Sequence, residues 1–206
     1  MLRLMQSVVV SVILASAAPL SAQEYPQLFN VIDVASDDVL NIRQEPSASS
    51  DVIDTFAPDA TGVEVIMLNN TLRWGLVNHN EGTGWVFMRY MQGQGQPIDH
   101  YNMPVGLSCF GTEPFWSLYS EDGIWHYDSL NDPPAELEID IAQDSGIAQD
   151  FRRMVRLTGP DGPATAFIYP AACNDGMSDL AFGLSISLMT GPSAPLLNGC
   201  CSLGTK

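Results

Sequence analysis

Short runs of apolar residues, each four to six long and each closed by a turn cluster, recur along almost the whole chain and limit what it can fold into. Val39-Leu40-Asn41-Ile42-Arg43 alternates apolar and polar with period two, and Glu45-Pro46-Ser47-Ala48-Ser49-Ser50 follows as a loop. Val52–Phe56, Val63–Leu68, Arg73–Asn78 and Trp85–Met88 repeat the pattern, separated by Pro58-Asp59-Ala60-Thr61-Gly62, Asn69-Asn70 and Asn80-Glu81-Gly82-Thr83-Gly84. Strands at this spacing, with no long segment of helical period between them, predict an all-β chain built as small barrels or sandwiches. After a Gly/Gln stretch, 92–100, the pattern resumes. Leu107–Phe110, Phe115–Tyr119, Ile124–Tyr127, Glu136–Ile141, Arg153–Leu157, Thr165–Tyr169, Leu184–Met189 and Gly199–Leu203 read as strands, with hairpin signals at Asp122-Gly123 and Asp161-Gly162. Gln149–Arg156 also admits one or two helical turns, because its periodicity is ambiguous.

The first 22 residues stand apart. One positive charge, Arg3, precedes an apolar run from Ser7 to Leu20, and the small residues Ser21 and Ala22 follow just before Gln23-Glu24. This is the layout of a secretory signal peptide cut after Ala22, with no lipid-accepting cysteine beside the cut. The expected product is periplasmic or secreted, in an oxidising compartment, with no stable membrane insertion. Lys and Arg total 8 against 24 Asp and Glu, a net charge of −16, and loss of Arg3 makes it one unit more negative. Such a surface repels phosphate backbones, so no nucleic-acid partner is expected, and it favours basic partners.

All four cysteines, Cys109, Cys173, Cys200 and Cys201, lie in the second half. An even count in an exported chain reads as two disulfides. If Gly199–Leu203 is a strand, Cys200 and Cys201 point to opposite faces, so each takes a different partner from Cys109 and Cys173. Alternation does not decide which takes which; the pairing favoured here is Cys109–Cys201 with Cys173–Cys200.

Two stretches resemble known families. Leu40-Asn41-Ile42-Arg43 followed by Glu45-Pro46-Ser47, and later Trp74-Gly75-Leu76-Val77, Gly84-Trp85-Val86 and Tyr90-Met91, resemble bacterial SH3 domains. That resemblance implies a non-catalytic small barrel that binds peptides or cell-wall stem peptides. Glu64, Asn69 and Asn70 offer no cationic groove, so the kind of ligand does not transfer with the fold. Cys109-Phe110-Gly111-Thr112-Glu113-Pro114-Phe115-Trp116, then Cys173-Asn174-Asp175-Gly176-Met177-Ser178-Asp179, then Gly199-Cys200-Cys201 resemble a family of uncharacterised bacterial envelope and lipoprotein domains, which brings no activity with it. In length, cysteine use and strand count this half is similar to small envelope barrels such as the membrane-bound inhibitors of c-type lysozyme, an analogy of fold class alone.

The expected organisation is therefore a signal peptide at 1–22, an SH3-like small barrel at 23–91, a linker at 92–100 and a disulfide-bonded small antiparallel β-barrel at 101–206. The expected ligand-binding residues are Asn41 and Arg43 on the exposed face of the opening strand, with Trp85 and Tyr90 on the closing strands beside Gly82-Thr83-Gly84. Arg43 serves equally well as a structural partner for an acid such as Asp38.

No cofactor, metal site or catalytic group is expected. His79, His100 and His126 are scattered rather than spaced as metal ligands, and His126 beside Asp128 reads better as strand surface. Only His126 follows a cysteine closely, and Gly-Thr-Glu-Pro after Cys109 offers no helix to activate a thiol. Trp116 reads as a barrel plug rather than a sugar platform. Asn174 and Asp175 read as turn-fixing rather than calcium-binding, and Arg152, Arg153 and Arg156 as a solvated edge strand. The function expected is an exported envelope binding protein whose partner is peptidoglycan or another peptide ligand. The alternative is an acidic inhibitor that docks a basic cell-wall hydrolase such as lysozyme.

Overall fold

The computed structural model describes residues 25–121, 123–130, 132–147 and 150–204; residues 1–22, expected above to be a signal peptide, lie outside the described residues. Seven strands form the first sheet: β1 (Gln27–Val31), β2 (Leu40–Arg43), β3 (Val52–Phe56), β4 (Val63–Leu68), β5 (Trp74–His79), β6 (Gly82–Phe87) and β7 (Met91–Gly93). Their spatial order is β3-β2-β6-β5-β4-β1-β7. Period two sends Leu40 and Ile42 of β2, Val77 of β5 and Val86 of β6 inward. They share one apolar cluster with Phe29, Val31 and Met91 from the other end of the sheet, so the sheet curls around its own core.

Neither β1 nor β7 is marked by turn signals. The Gly/Gln stretch begins as a strand, because Phe29, Asn30 and Val31 pair with Gly93, Gln92 and Met91 through main-chain bonds that need no particular side chain. Gly82-Thr83-Gly84, expected as a turn, is the start of β6. The turn is Asn80-Glu81, with Asn80 at φ 48°, a conformation asparagine tolerates. Gly84 is buried against Ile42 and Ile53, so its missing side chain makes room for the core and not for a ligand.

Eight further strands close into an antiparallel barrel: β8 (Ser108–Thr112), β9 (Phe115–Glu121), β10 (Ile124–Ser129), β11 (Ala135–Asp144), β12 (Arg153–Gly159), β13 (Gly162–Cys173), β14 (Phe182–Met189) and β15 (Leu197–Ser202). β15 pairs back onto β8, so no edge is left unpaired. Leu118, Trp125, Leu157, Ile168, Leu184, Ile186 and Leu188 fill the interior. Of the region Gln149–Arg156, Gln149 lies outside the described residues; the described part has no helix and enters strand β12 at Arg153. β12 pairs on both sides, so its arginines are not on an edge. Arg153 is buried and donates to the carbonyls of Asn102, Asp150 and Arg152, while Arg152 pairs with Asp150 at 2.7 Å and Arg156 with Asp140 at 3.6 Å. Each of the three therefore has a structural partner.

Cys109 joins Cys201, and Cys173 joins Cys200. Adjacent positions on β15 send Cys201 into the barrel core and Cys200 to its outer side. Trp116 is also in the core, 4% exposed, laid over Gly111 and Gly199.

The sheet and barrel are docked. Leu28, one residue off the inward register of β1, packs into the barrel's apolar cluster. Asn78 and Ala181 exchange two hydrogen bonds, at 2.9 and 3.1 Å, and Gly183 is backed against Pro26 and Ile66. Glu64 on β4 accepts the backbone N–H of Leu203 at 3.1 Å. Burial raises its carboxyl from 4.5 to about 7, although that hydrogen bond acts in the opposite direction. A raised carboxyl favours the protonated folded state, so its stabilisation is complete below pH 4.5 and is lost as pH rises through about 7. Glu64→Gln is expected to remove this slope and to stabilise the protein at pH 8 by on the order of 2–3 kcal/mol. Chemical denaturation at pH 5 and pH 8 checks this; equal slopes for native and variant contradict it.

Candidate functional site

A cavity of about 790 Å³ opens on the first sheet, bounded by the β1–β2 loop, by β2 and by the ends of β5 and β6. Its aromatic wall is built by local alternation. Trp74 opens β5 and is nearly buried, and Phe87, its cross-strand partner at the end of β6, lies with its ring centroid 5.1 Å away. Tyr90, in the single 3₁₀ turn Met88–Tyr90, meets Phe87 edge-on at 6.3 Å. Asn41 and Arg43 reach the cavity from the outward face of β2.

Of the four residues singled out in the sequence, Asn41, Arg43 and Tyr90 line this cavity together. Trp85 does not. It sits across from Arg43 on β6, half-buried, and Phe87 two positions further along the same face takes the place in the wall. Arg73, expected only as the first residue of the strand Arg73–Asn78, lies just before β5, and no local signal marks it as cavity lining. Its guanidinium carbon lies 5.2 Å from the Phe87 ring centre, a cation–π contact.

The charges of the cavity are uncommitted. Arg43 donates to the Ser50 carbonyl at 2.6 Å, and Asp38 accepts its neighbour Val39's N–H at 2.8 Å. Among the described residues neither Arg43 nor Arg73 has a carboxylate within ion-pair distance, although Asp33 and Asp38 line the same cavity. With two arginines and two aspartates the cavity is formally neutral on a chain of net charge −16.

The other groups weighed in the sequence have local work. His79 faces Asp54 at 3.4 Å and Thr83's carbonyl at 3.2 Å; His126 stacks on Tyr119 at 5.2 Å, and His100 lies tilted against Tyr101 at 4.0 Å. Asn174 accepts from Gly176 N–H, and Asp175 from Met177 and Ser178 N–H and the Ser178 hydroxyl, a hydrogen-bonded turn. Among the described residues no three His, Cys, Asp or Glu side chains converge as a metal site.

Residues 38–92 match the family model of bacterial SH3 domains, a span that contains Asn41, Arg43, Arg73, Phe87 and Tyr90 and ends before the barrel begins. No curated protein and no solved structure matches the chain.

Proposed function

We propose that this is an exported, non-catalytic binding protein of the cell envelope, organised as an SH3-like unit closed by β7 and a barrel unit over 101–206. Its SH3-like unit takes a peptide or cell-wall stem peptide in the cavity between Asn41, Arg43, Arg73 and Tyr90. The observation that carries this reading is the pair of arginines. In a chain with three acids for every base, two guanidiniums that have no carboxylate partner among the described residues share one cavity with an aromatic wall. A ligand carboxylate supplies the missing partner, since guanidinium–carboxylate pairs are strong and directional. Trp74, Phe87 and Tyr90 give apolar area for its side chains, with a hydroxyl at the Tyr90 end. Formal neutrality selects a ligand with one or two carboxylates over a polyanion. The match of residues 38–92 to a family of binding modules supports a binding role, and two disulfides support export. All four sulfurs are bonded, so no thiol is free to act as a nucleophile.

Co-sedimentation of the intact protein with purified peptidoglycan tests the proposal. Native protein is expected to pellet, and the Arg73→Gln, Tyr90→Ala variant to remain in the supernatant. Inhibition of a c-type lysozyme by the native protein, without retention on peptidoglycan, would replace this reading with the inhibitor.

A further inference from the structure

The peptide cavity leaves the barrel's three sequence motifs without a role, and the fold brings them together. Thr112, in the first motif, donates its hydroxyl to the Asp175 carbonyl of the second at 2.8 Å. The Cys173–Cys200 disulfide fastens the second to the third. Between them, on the outer side of the barrel, lies a hollow of about 430 Å³, a volume within the range of small-molecule sites.

We propose that this hollow is a second binding site, independent of the peptide cavity, and that it takes a neutral saccharide. Four polar side chains reach it with hydrogen-bonding capacity to spare. Glu113, Tyr169 and Ser185 line it, and within the described residues their side chains have no hydrogen-bond partner. Asn198 accepts from the Ser187 hydroxyl at 3.1 Å, which leaves its NH₂ group as a donor. Asp175 is also charged, but its oxygens already accept hydrogen bonds within its own turn, so Glu113 is the carboxylate with acceptor capacity to spare. Donors and acceptors are thus mixed around the Glu113 carboxylate, the arrangement that vicinal hydroxyls satisfy.

The apolar component is aromatic. Phe110 lines the hollow, and Tyr169 continues outward into Phe167, stacked at 5.4 Å and 26° and 45% exposed. Rings so placed match the C–H face of a pyranose. Beside the hollow, β13 and β14 present no charged side chain: their outward residues include Thr165, Phe167, Tyr169, Ser185 and Ser187, alternating with the buried Ala164, Ala166, Ile168, Leu184 and Ile186. On a chain with 24 acidic residues, an uncharged patch beside a concave polar site fits an uncharged ligand. A phosphorylated ligand would meet Glu113, and the closed barrel has no free strand edge for a peptide to extend.

The test uses the intact, isotope-labelled chain and three probes: triacetylchitotriose, maltotriose and, as an anionic control, trigalacturonic acid. Saturable amide shifts centred on Glu113, Tyr169, Ser185 and Asn198 are expected with at least one neutral trisaccharide at millimolar concentration, and none with the anionic control. Glu113→Gln and Asn198→Ala, both at exposed positions, are each expected to weaken that binding about fivefold, the value of one hydrogen bond. Absence of saturable shifts with both neutral probes overturns the proposal. So does binding that maps elsewhere, or that both folded variants retain at native strength.

Discussion

Replacing Cys109 and Cys201 together by alanine is expected to lower the unfolding free energy by about 4–5 kcal/mol, enough to leave a domain of ordinary stability marginal. The bridge spans a sequence separation of 92, and both residues are fully buried in the barrel core. Its loss frees a long loop in the unfolded chain and removes packed sulfur from the interior. The Cys173–Cys200 bridge spans 27 residues and lies on the outer side, so the corresponding double variant should lose less, about 3–4 kcal/mol. Exposure orders their reduction in the same sense: Cys173 is half-buried, whereas Cys109, Cys200 and Cys201 are buried, so limited reductant should open Cys173–Cys200 first. Urea unfolding of the two double variants measures the difference; equal losses, or the smaller loss from the core bridge, would contradict this account.

Gly199→Ala should destabilise the barrel by about 3 kcal/mol, the upper end of overpacking costs. A methyl group there would overlap the Phe110 carbonyl oxygen and lie 2.9 Å from Cζ2 of Trp116. Neither neighbour can give way, because one is backbone and the other is a ring wedged in the core. Gly111→Ala meets the same indole from the other strand and should behave alike. Gly191→Ala, where nothing lies within 4 Å, is the control and should fall within about 0.5 kcal/mol of native. A Gly199→Ala protein as stable as this control would mean that Trp116 is not held where the structure has it.

The strands were legible because burial on one face imposes period two. Val52–Phe56 and Val63–Leu68 were read to the residue, as was the interior of β14. What escaped depended on pairing rather than pattern. β7 is held by main-chain bonds to β1, so its Gly/Gln composition read as linker. Arg152, Arg153 and Arg156 read as an edge because the closure of β15 onto β8, which abolishes edges, leaves no local trace. The site divided in the same way. Alternation places Asn41 and Arg43 on the outward face of β2, where they line the cavity, but it does not say which of Trp85 and Phe87, on one face of β6, reaches it. Arg73 reads only as the start of a strand, and nothing local marks it as cavity lining. Glu64, read as evidence about the groove, instead meets Leu203, 139 positions away, a contact that no local signal encodes.

In the proposed complex Arg43 and Arg73 hold a ligand carboxylate beside the aromatic wall. This arrangement is tested most directly by titrating the stem tetrapeptide L-alanyl-γ-D-glutamyl-L-lysyl-D-alanine into the intact protein while following amide shifts. Saturable shifts at Asn41, Arg43, Phe87 and Tyr90 are expected, and they should disappear in an Arg43→Gln, Arg73→Gln variant that unfolds at the native midpoint. Absence of binding, or binding that survives undiminished in that variant, would contradict it.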